Sequence, residues 1–481
     1  MSNSIQKMSQ YRWYICAMLF FATTINYLDR QVLSLTWADF IQPEFHWTNN
    51  HYGTITSLFS IFYAVSMLFA GKFVDWMDTK KGFLWAIGIW SLGAMLHAFC
   101  GIATSGFVVG EWFVGFEGAK EALAHVADYT LIATTSVVLF VVARLVLAVG
   151  EAGNFPAAIK ATAEYFPKKD RALATSIFNA GATVGALAAP ITIPFIAAKW
   201  GWEMAFIIIG ALGFIWMGFW IFVYKKPEQN KAVNKLELDY IHQDGEESQN
   251  AADVKSGLKM SFVEAFKHKQ TWAFAFGKFM TDGVWWFFLF WTPAYLKSVY
   301  NMDSTEAALP LFVLYMITLL SIIGGWLPSF FVDKKGMNPY AGRMRSMLIF
   351  AFFPLLALLA QPLGTISYWI PVIIIGIAGA AHQAWSANIF STVGDMFPKY
   401  AIATITGIGG MAGGVGSFLI NKGSGMLFDF ATETNMKFMG FEGINSGYFI
   451  IFSICAVAYL IGWAVMKTLV PTYKPVVVSS K

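Results

Sequence analysis

The residues able to do chemistry in this chain are few, and they sit where charge is costly. Between Arg144 and Pro167 the chain reads RLVLAVGEAGNFPAAIKATAEYFP, an apolar helix pattern holding an arginine and a glutamate. Arg144 and Glu151 are two helical turns apart, so they share one face, about 10 Å apart along the axis. Asn154 and Phe155 extend that face. Gly150 and Gly153 flank the glutamate and admit another backbone or a ligand. A second charged pair, Asp29 and Arg30, lies inside the first apolar run, in NYLDR. Helix neighbours point about 100° apart. The two are therefore not simply each other's partner: one can face an adjoining helix while the other faces a cavity. An ionised side chain at the centre of a bilayer helix costs at least about 2.5–3.5 kcal/mol. Such groups need a partner, water or a ligand. They form either structural ion pairs or the wall of a polar cavity with a proton or anion site, and the second is the expectation.

Composition sets the surroundings. Of 481 residues, 57% are apolar, 17% aromatic and 13% charged, against about 25% charged in soluble domains. The chain is an integral membrane protein. Its net charge of +4 shows no nucleic-acid patch. Cys16, Cys100 and Cys455 lie in apolar runs, so neither a disulfide framework nor metal spacing is visible, and no cofactor is expected. The sequence holds no G-x-x-x-x-G-K-[ST], H-E-x-x-H or G-x-S-x-G, which argues against an ATP-driven pump and a membrane hydrolase. Lys7 and Arg12 precede the first apolar run without a small-residue cleavage site, the pattern of a retained helix.

The apolar runs predict an all-α protein of about twelve spans, each long enough to cross about 30 Å of hydrocarbon. They fall near 13–36, 52–76, 83–103, 129–157, 172–198, 202–224, 271–298, 305–332, 345–361, 367–392, 400–421 and 446–468. The chain divides into six helices (1–224), a hydrophilic linker (225–270) and six more helices (271–481). LELDYI, 236–241, suits a short surface helix, and 104–128 is an amphipathic insertion between spans 3 and 4. Lysines and arginines concentrate on the side of both termini and the linker, placing that side in the cytoplasm.

The two halves echo each other. Gly71-Lys-Phe-Val-Asp75 with Lys80 and Lys81 lies between spans 2 and 3. Asp333-Lys334-Lys335-Gly336 with Arg343 and Arg345 lies between spans 8 and 9. These loops resemble the signature loop of the major facilitator superfamily, in which such charges latch helix ends in one conformation. The first copy departs from the pattern at Trp76 and Asp78. From NYLDR through RLVLAVGEAGNFPA the chain is similar to the anion:cation symporters of that superfamily. KATAEYFP (160–167), FNAGATVGA (178–186), KFMTDGVWWFFLFWTPAYL (278–296), AHQAWSANIFSTVGDMFPK (381–399) and TGIGGMAGGVG (406–416) look more narrowly like bacterial hexuronate transporters.

The resemblance implies two six-helix bundles in the bacterial inner membrane and a monomer that imports glucuronate or galacturonate with protons. It assigns proton coupling to Asp29, Glu151 and Arg144, and the substrate carboxylate to Arg30. Tyr63 enters as a pocket residue by family position. Asn179 lies one turn before Ala182, where galactonate-carrying relatives have a glutamine.

Residue chemistry adds to this. Arginine grips a carboxylate through two parallel hydrogen bonds, while amides, hydroxyls and an aromatic face suit a sugar ring. On span 10, Gln383 is about 160° from Trp385 and about 140° from Asn388, so they cannot all face one cavity. Trp385 and Asn388, at i and i+3, are the favoured pair, with His382 on their side. On span 7, Lys278 and Asp282 are placed to neutralise each other. Pro293 marks a candidate break for a gate.

Overall fold

The computed structural model describes residues 7–243 and 260–476. Its long helices are Tyr11–Thr36, Asn49–Met77, Thr79–Ala98 continued by Cys100–Val109, Tyr129–Tyr165, Lys168–Trp200, Trp202–Val223, Lys269–Tyr300, Ala308–Lys335, Pro339–Gly364, Trp369–Met396, Lys399–Glu433 and Ile444–Leu469. They are numbered here as spans 1 to 12. Among the described residues eight are long and apolar enough to cross a membrane on composition alone, and span 3, bent by 52°, makes nine. Spans 1, 7 and 11 fall short of that measure. Span 1 carries Asn26, Asp29 and Arg30, span 7 carries Lys278 and Asp282, and span 11 is rich in glycine.

Glycine sets how closely the site helices meet. A Cβ on Gly150 would lie 2.3 Å from the Trp90 amide nitrogen of span 3. The backbone that Gly150 admits is therefore span 3, and Glu151 is held against it. Span 4 is interrupted just after Glu151, at Ala152 and Gly153, and resumes at Asn154. Span 7, by contrast, runs unbroken through Pro293. The expected break is absent because the neighbouring helices hold the backbone on course, as membrane helices allow.

The hydrogen bonds and ion pairs joining spans 1–6 to spans 7–12 cluster, among the described residues, at the end opposite the termini. Span 1 closes there with a π-helical turn, Trp37–Ile41. In that turn Asp39 meets Lys297 at 2.8 Å and accepts from Ser304. Asp429 of span 11 accepts from the Asn49 and Asn50 amides at 2.8 and 2.7 Å, capping span 2 from outside it. Lys422 donates to Thr54 at 2.7 Å, and the Tyr52 hydroxyl to the Phe290 carbonyl at 2.8 Å.

At the other end, Lys80 donates to the Ile221 carbonyl at 2.6 Å, Lys81 is exposed, and Gly336 ends span 8 at φ +64°. Gly71 lies inside span 2, while Asp333 and Lys334 lie in the last turn of span 8. The side chain of Asp75 lies outside the described residues. Arg343 meets Asp395 at 2.7 Å. Residues 235–241 form a helix whose Glu237 accepts from the Tyr11 and Arg12 amides. Residues 244–259 of the linker lie outside the described residues. The insertion forms a helix, Phe116–Ala124, that docks through Lys120 on Glu203 at 3.1 Å. Beside it the Trp202 indole donates to Glu44 at 2.8 Å.

Candidate functional site

Spans 1 and 4 bring the charged residues together. Arg30 donates from Nε and Nη2 to Glu151 Oε2, at 2.9 and 2.7 Å. Both side chains are buried, and Glu151 Oε1 has no partner. Arg30 also sits within a cage of rings. Its guanidinium carbon is 4.8 Å from the Tyr63 ring, 5.1 Å from Tyr27 and 5.1 Å from Trp286 of span 7. Cation–π contact adds to the ion pair in holding this charge within the bilayer.

The remaining members are less satisfied. Both oxygens of Asp29 are buried without a hydrogen-bond partner, and so are Nε and Nη1 of Arg144. Arg144 lies 5.1 Å from the Phe59 ring. Asn26 and Asn154, on the same two spans, also bury unpaired amide atoms. Buried polar atoms are almost always paired, and a concentration of exceptions marks a site that water or a ligand completes. Sequence reasoning placed Arg144 with the acids. The structure gives Glu151's hydrogen bonds to Arg30, the residue assigned to the substrate carboxylate.

Next to this cluster lies a cavity of about 420 Å3 between the two groups of spans. Small-molecule sites occupy about 300–1,000 Å3. Span 1 contributes Tyr27, span 5 contributes Asn179, Ala182 and Thr183, and span 8 contributes Tyr315, Thr318 and Ser321. From span 10 come Gln383, Ser386, Ala387 and Phe390, a stripe at helical spacing. Asn179, Thr183, Gln383 and Ser386 have no side-chain hydrogen-bond partner among the described residues, leaving amides and hydroxyls free for a ligand. Tyr27 lines the cavity and touches Arg30, so one ring separates the cavity from the guanidinium.

The favoured stripe of span 10 does not line this cavity. Trp385 is fully buried and meets Tyr459 of span 12 edge-on at 5.5 Å. Asn388 donates to the carbonyls of Gly324 and Ala384, both at 2.8 Å. His382 bonds the Tyr459 hydroxyl at 2.7 Å and stacks on Trp285. All three pack span 10 against its neighbours. Two polar stripes ran along that helix, and bulk separates them. The stripe with tryptophan and isoleucine fills the interior, while Ser386 and Ala387 leave room for a ligand. On span 7, Lys278 and Asp282 pair at 2.7 Å.

Known proteins agree with this architecture. The chain is 29% identical over 469 residues to the "Hexuronate transporter" of Escherichia coli K12, covering 96% of this chain and 95% of that one. It is 28% identical over 338 residues to the "Galacturonate transporter" of Dickeya chrysanthemi, covering 70% of this chain and 87% of that one. Its fold matches a bacterial homologue of the lysosomal transporter Spinster, in an inward-facing and unoccupied conformation, with a TM-score of 0.69 at 18% identity. That match covers 96% of this chain and 98% of the other. Residues 19–420 match the model of the Major Facilitator Superfamily; the chain is a multi-pass membrane transporter rather than an enzyme, and it belongs to that superfamily.

Proposed function

We propose that this transporter carries hexuronates, glucuronate and galacturonate, into the cytoplasm together with protons, acting as a single chain with both termini inside. The observation that carries this reading is the buried Arg30–Glu151 pair beside a cavity whose amides and hydroxyls lack partners. A hexuronate has one carboxylate and a rim of hydroxyls. Protonation of Glu151 removes the charge that neutralises Arg30. The substrate carboxylate then takes its place, with Tyr27 and Tyr63 moving aside or bonding to it. Asn179, Gln383 and Ser386 hold the hydroxyls, and Trp285 offers a ring face. Asp29 and Arg144 complete the relay, since Asp29 holds buried oxygens able to accept, and Arg144 buried N–H groups able to donate, new hydrogen bonds.

The pairing also supports obligatory coupling. A protonated, substrate-loaded site carries one Arg30–carboxylate pair, as the empty site does, so both can cross. A deprotonated site with substrate would place two carboxylates near one arginine. With the bonded end facing the periplasm, this state is one closed to the periplasm. One proton carried with one monoanionic hexuronate moves no net charge, so on this scheme the pH gradient, not the membrane potential, drives import.

The test is uptake into proteoliposomes from a panel of labelled sugar acids under an imposed pH gradient. Accumulation of glucuronate or galacturonate that collapses with a protonophore is the expected result. Counterflow without accumulation would make the protein an exchanger, and transport of other sugar acids alone would reject hexuronates.

A further inference from the structure

At the termini end of the bundle, away from the transport cavity, a second cavity of about 640 Å3 opens between the start of span 7 and the C-terminal tail. Lys267, His268, Lys269 and Lys474 line it. Among the described residues none of these three lysines is paired with a carboxylate. Span 7 begins at Lys269 without a side-chain cap, so its first amides add the positive end of a helix dipole. The walls are fixed. Gln270 donates to the Lys474 carbonyl at 2.9 Å, and the Val476 amide to the Met396 carbonyl at 2.7 Å.

A second observation concerns what lies beside this cavity. Residues 262–266 precede span 7, yet Phe262, Val263 and Phe266 are exposed, and so is Trp272 in the first turns of the span. The Trp272 indole donates to the Phe266 carbonyl at 2.8 Å, and the Thr271 hydroxyl to the Ala265 carbonyl at 2.7 Å. A segment outside the spans that holds aromatic side chains outward on a fixed backbone has the character of a membrane-interface element. An apolar edge at headgroup depth, adjoining a basic cavity, matches a molecule with an acyl tail and an anionic head.

We propose that this cavity binds the headgroup of an anionic phospholipid, with Lys267, Lys269 and Lys474 on the phosphate and Phe262, Phe266 and Trp272 against the acyl region. The lipid would bridge the linker exit, the base of span 7 and the tail that is tied to span 10. It would therefore brace the C-terminal group of spans at the end opposite the bonds that join the two groups.

The experiment is native mass spectrometry of the full chain with phosphatidylglycerol, phosphatidylcholine or inorganic phosphate. Wild type should retain at least one phosphatidylglycerol under conditions that strip phosphatidylcholine, and millimolar phosphate should not displace it. Near an anionic membrane surface each lysine is worth about fivefold in affinity. The Lys267→Gln/Lys269→Gln/Lys474→Gln variant should therefore bind phosphatidylglycerol roughly 100-fold more weakly. Lys225→Gln/Lys231→Gln/Lys235→Gln removes the same charge from exposed positions at the same end and should bind as wild type does. Equal loss in both variants would overturn the site in favour of general surface charge. Displacement by inorganic phosphate would overturn the lipid as its occupant. Thermal melting of each variant separates lost binding from lost folding, and an Arg-for-Lys triple replacement that retains phosphatidylglycerol would show that charge at these positions carries the effect.

Discussion

Spans 1 and 4 and spans 7 and 10 both bury charged or strongly polar side chains within the bilayer, but they complete them differently. In the second set, the Trp385 indole nitrogen excepted, the buried groups named find their partners close at hand. Lys278 pairs with Asp282 one turn along, His382 with Tyr459, and Asn388 with two carbonyls. In the first set the Arg30–Glu151 ion pair joins two helices and leaves Glu151 Oε1, both Asp29 oxygens and two Arg144 nitrogens without hydrogen-bond partners. Locally completed groups hold a shape. Incompletely paired groups have capacity left for another molecule, and Arg30, bonded to Glu151, lies one ring away from a cavity.

The largest effect expected from this contrast is at Glu151. Glu151→Gln, a permanently uncharged stand-in, should retain substrate-for-substrate counterflow while losing accumulation driven by a pH gradient. Paired uptake and counterflow in proteoliposomes measure this; full accumulation would leave Asp29 as the coupling group. The Lys278–Asp282 pair should behave in the opposite manner. Lys278→Met leaves a buried aspartate alone and should cost about 3–5 kcal/mol, whereas Lys278→Met/Asp282→Leu should recover most of it. If thermal melting finds the double variant no better than the single, the pair is not self-contained.

Arg30→Lys comes next. It keeps the charge but loses the forked geometry. A charged hydrogen bond is worth about 1.5–3 kcal/mol, so hexuronate affinity should fall about ten- to a hundredfold, read by binding to purified protein. Gln383→Ala and Asn388→Ala then divide span 10. Gln383→Ala should weaken binding about three- to tenfold, as for a neutral hydrogen bond, with an unchanged melting temperature. Asn388→Ala should lower the melting temperature and leave affinity near wild type. An exchange of those outcomes would restore the other stripe as the binding face.

A pH-dependent effect is expected at Glu44, outside the spans and intermediate between the two cases. It accepts one bond from Trp202, and burial beside Glu203 raises its pKa to about 7. The folded state thus holds its proton more tightly than the unfolded chain does. Stability from this group is fully present below the ordinary glutamate value of 4.5 and declines as pH rises to about 7. Glu44→Gln should flatten that part of the melting-temperature profile.

Much of the architecture was readable from sequence because bilayer thickness imposes a length on every apolar run. The charged cluster was readable for a similar reason, since Asp29, Arg30, Arg144 and Glu151 stand out in apolar surroundings. Their pairing was not. Residues 30 and 151 meet through the packing of spans 1 and 4, which depends on small residues such as Gly150 meeting span 3. The cavity face of span 10 was also hidden, because a helix buried on most sides carries two polar stripes and periodicity does not rank them. Side-chain volume was the available signal: Ser386 and Ala387 are small and line the cavity. Pro293 misled for the reverse reason, as neighbouring helices overrode a local preference.

The carboxylate of Asp429 supplies the first amides of span 2 from across the molecule. Separation of the two groups at that end would strip those amides of their acceptor, and losing a helix cap costs about 1 kcal/mol. The first turn of span 2 is consequently a reporter of access. Its amide protons should exchange slowly while this end is shut and quickly when it opens. Deuterium uptake at Asn49 and Asn50 would then time the transport cycle without any attached label.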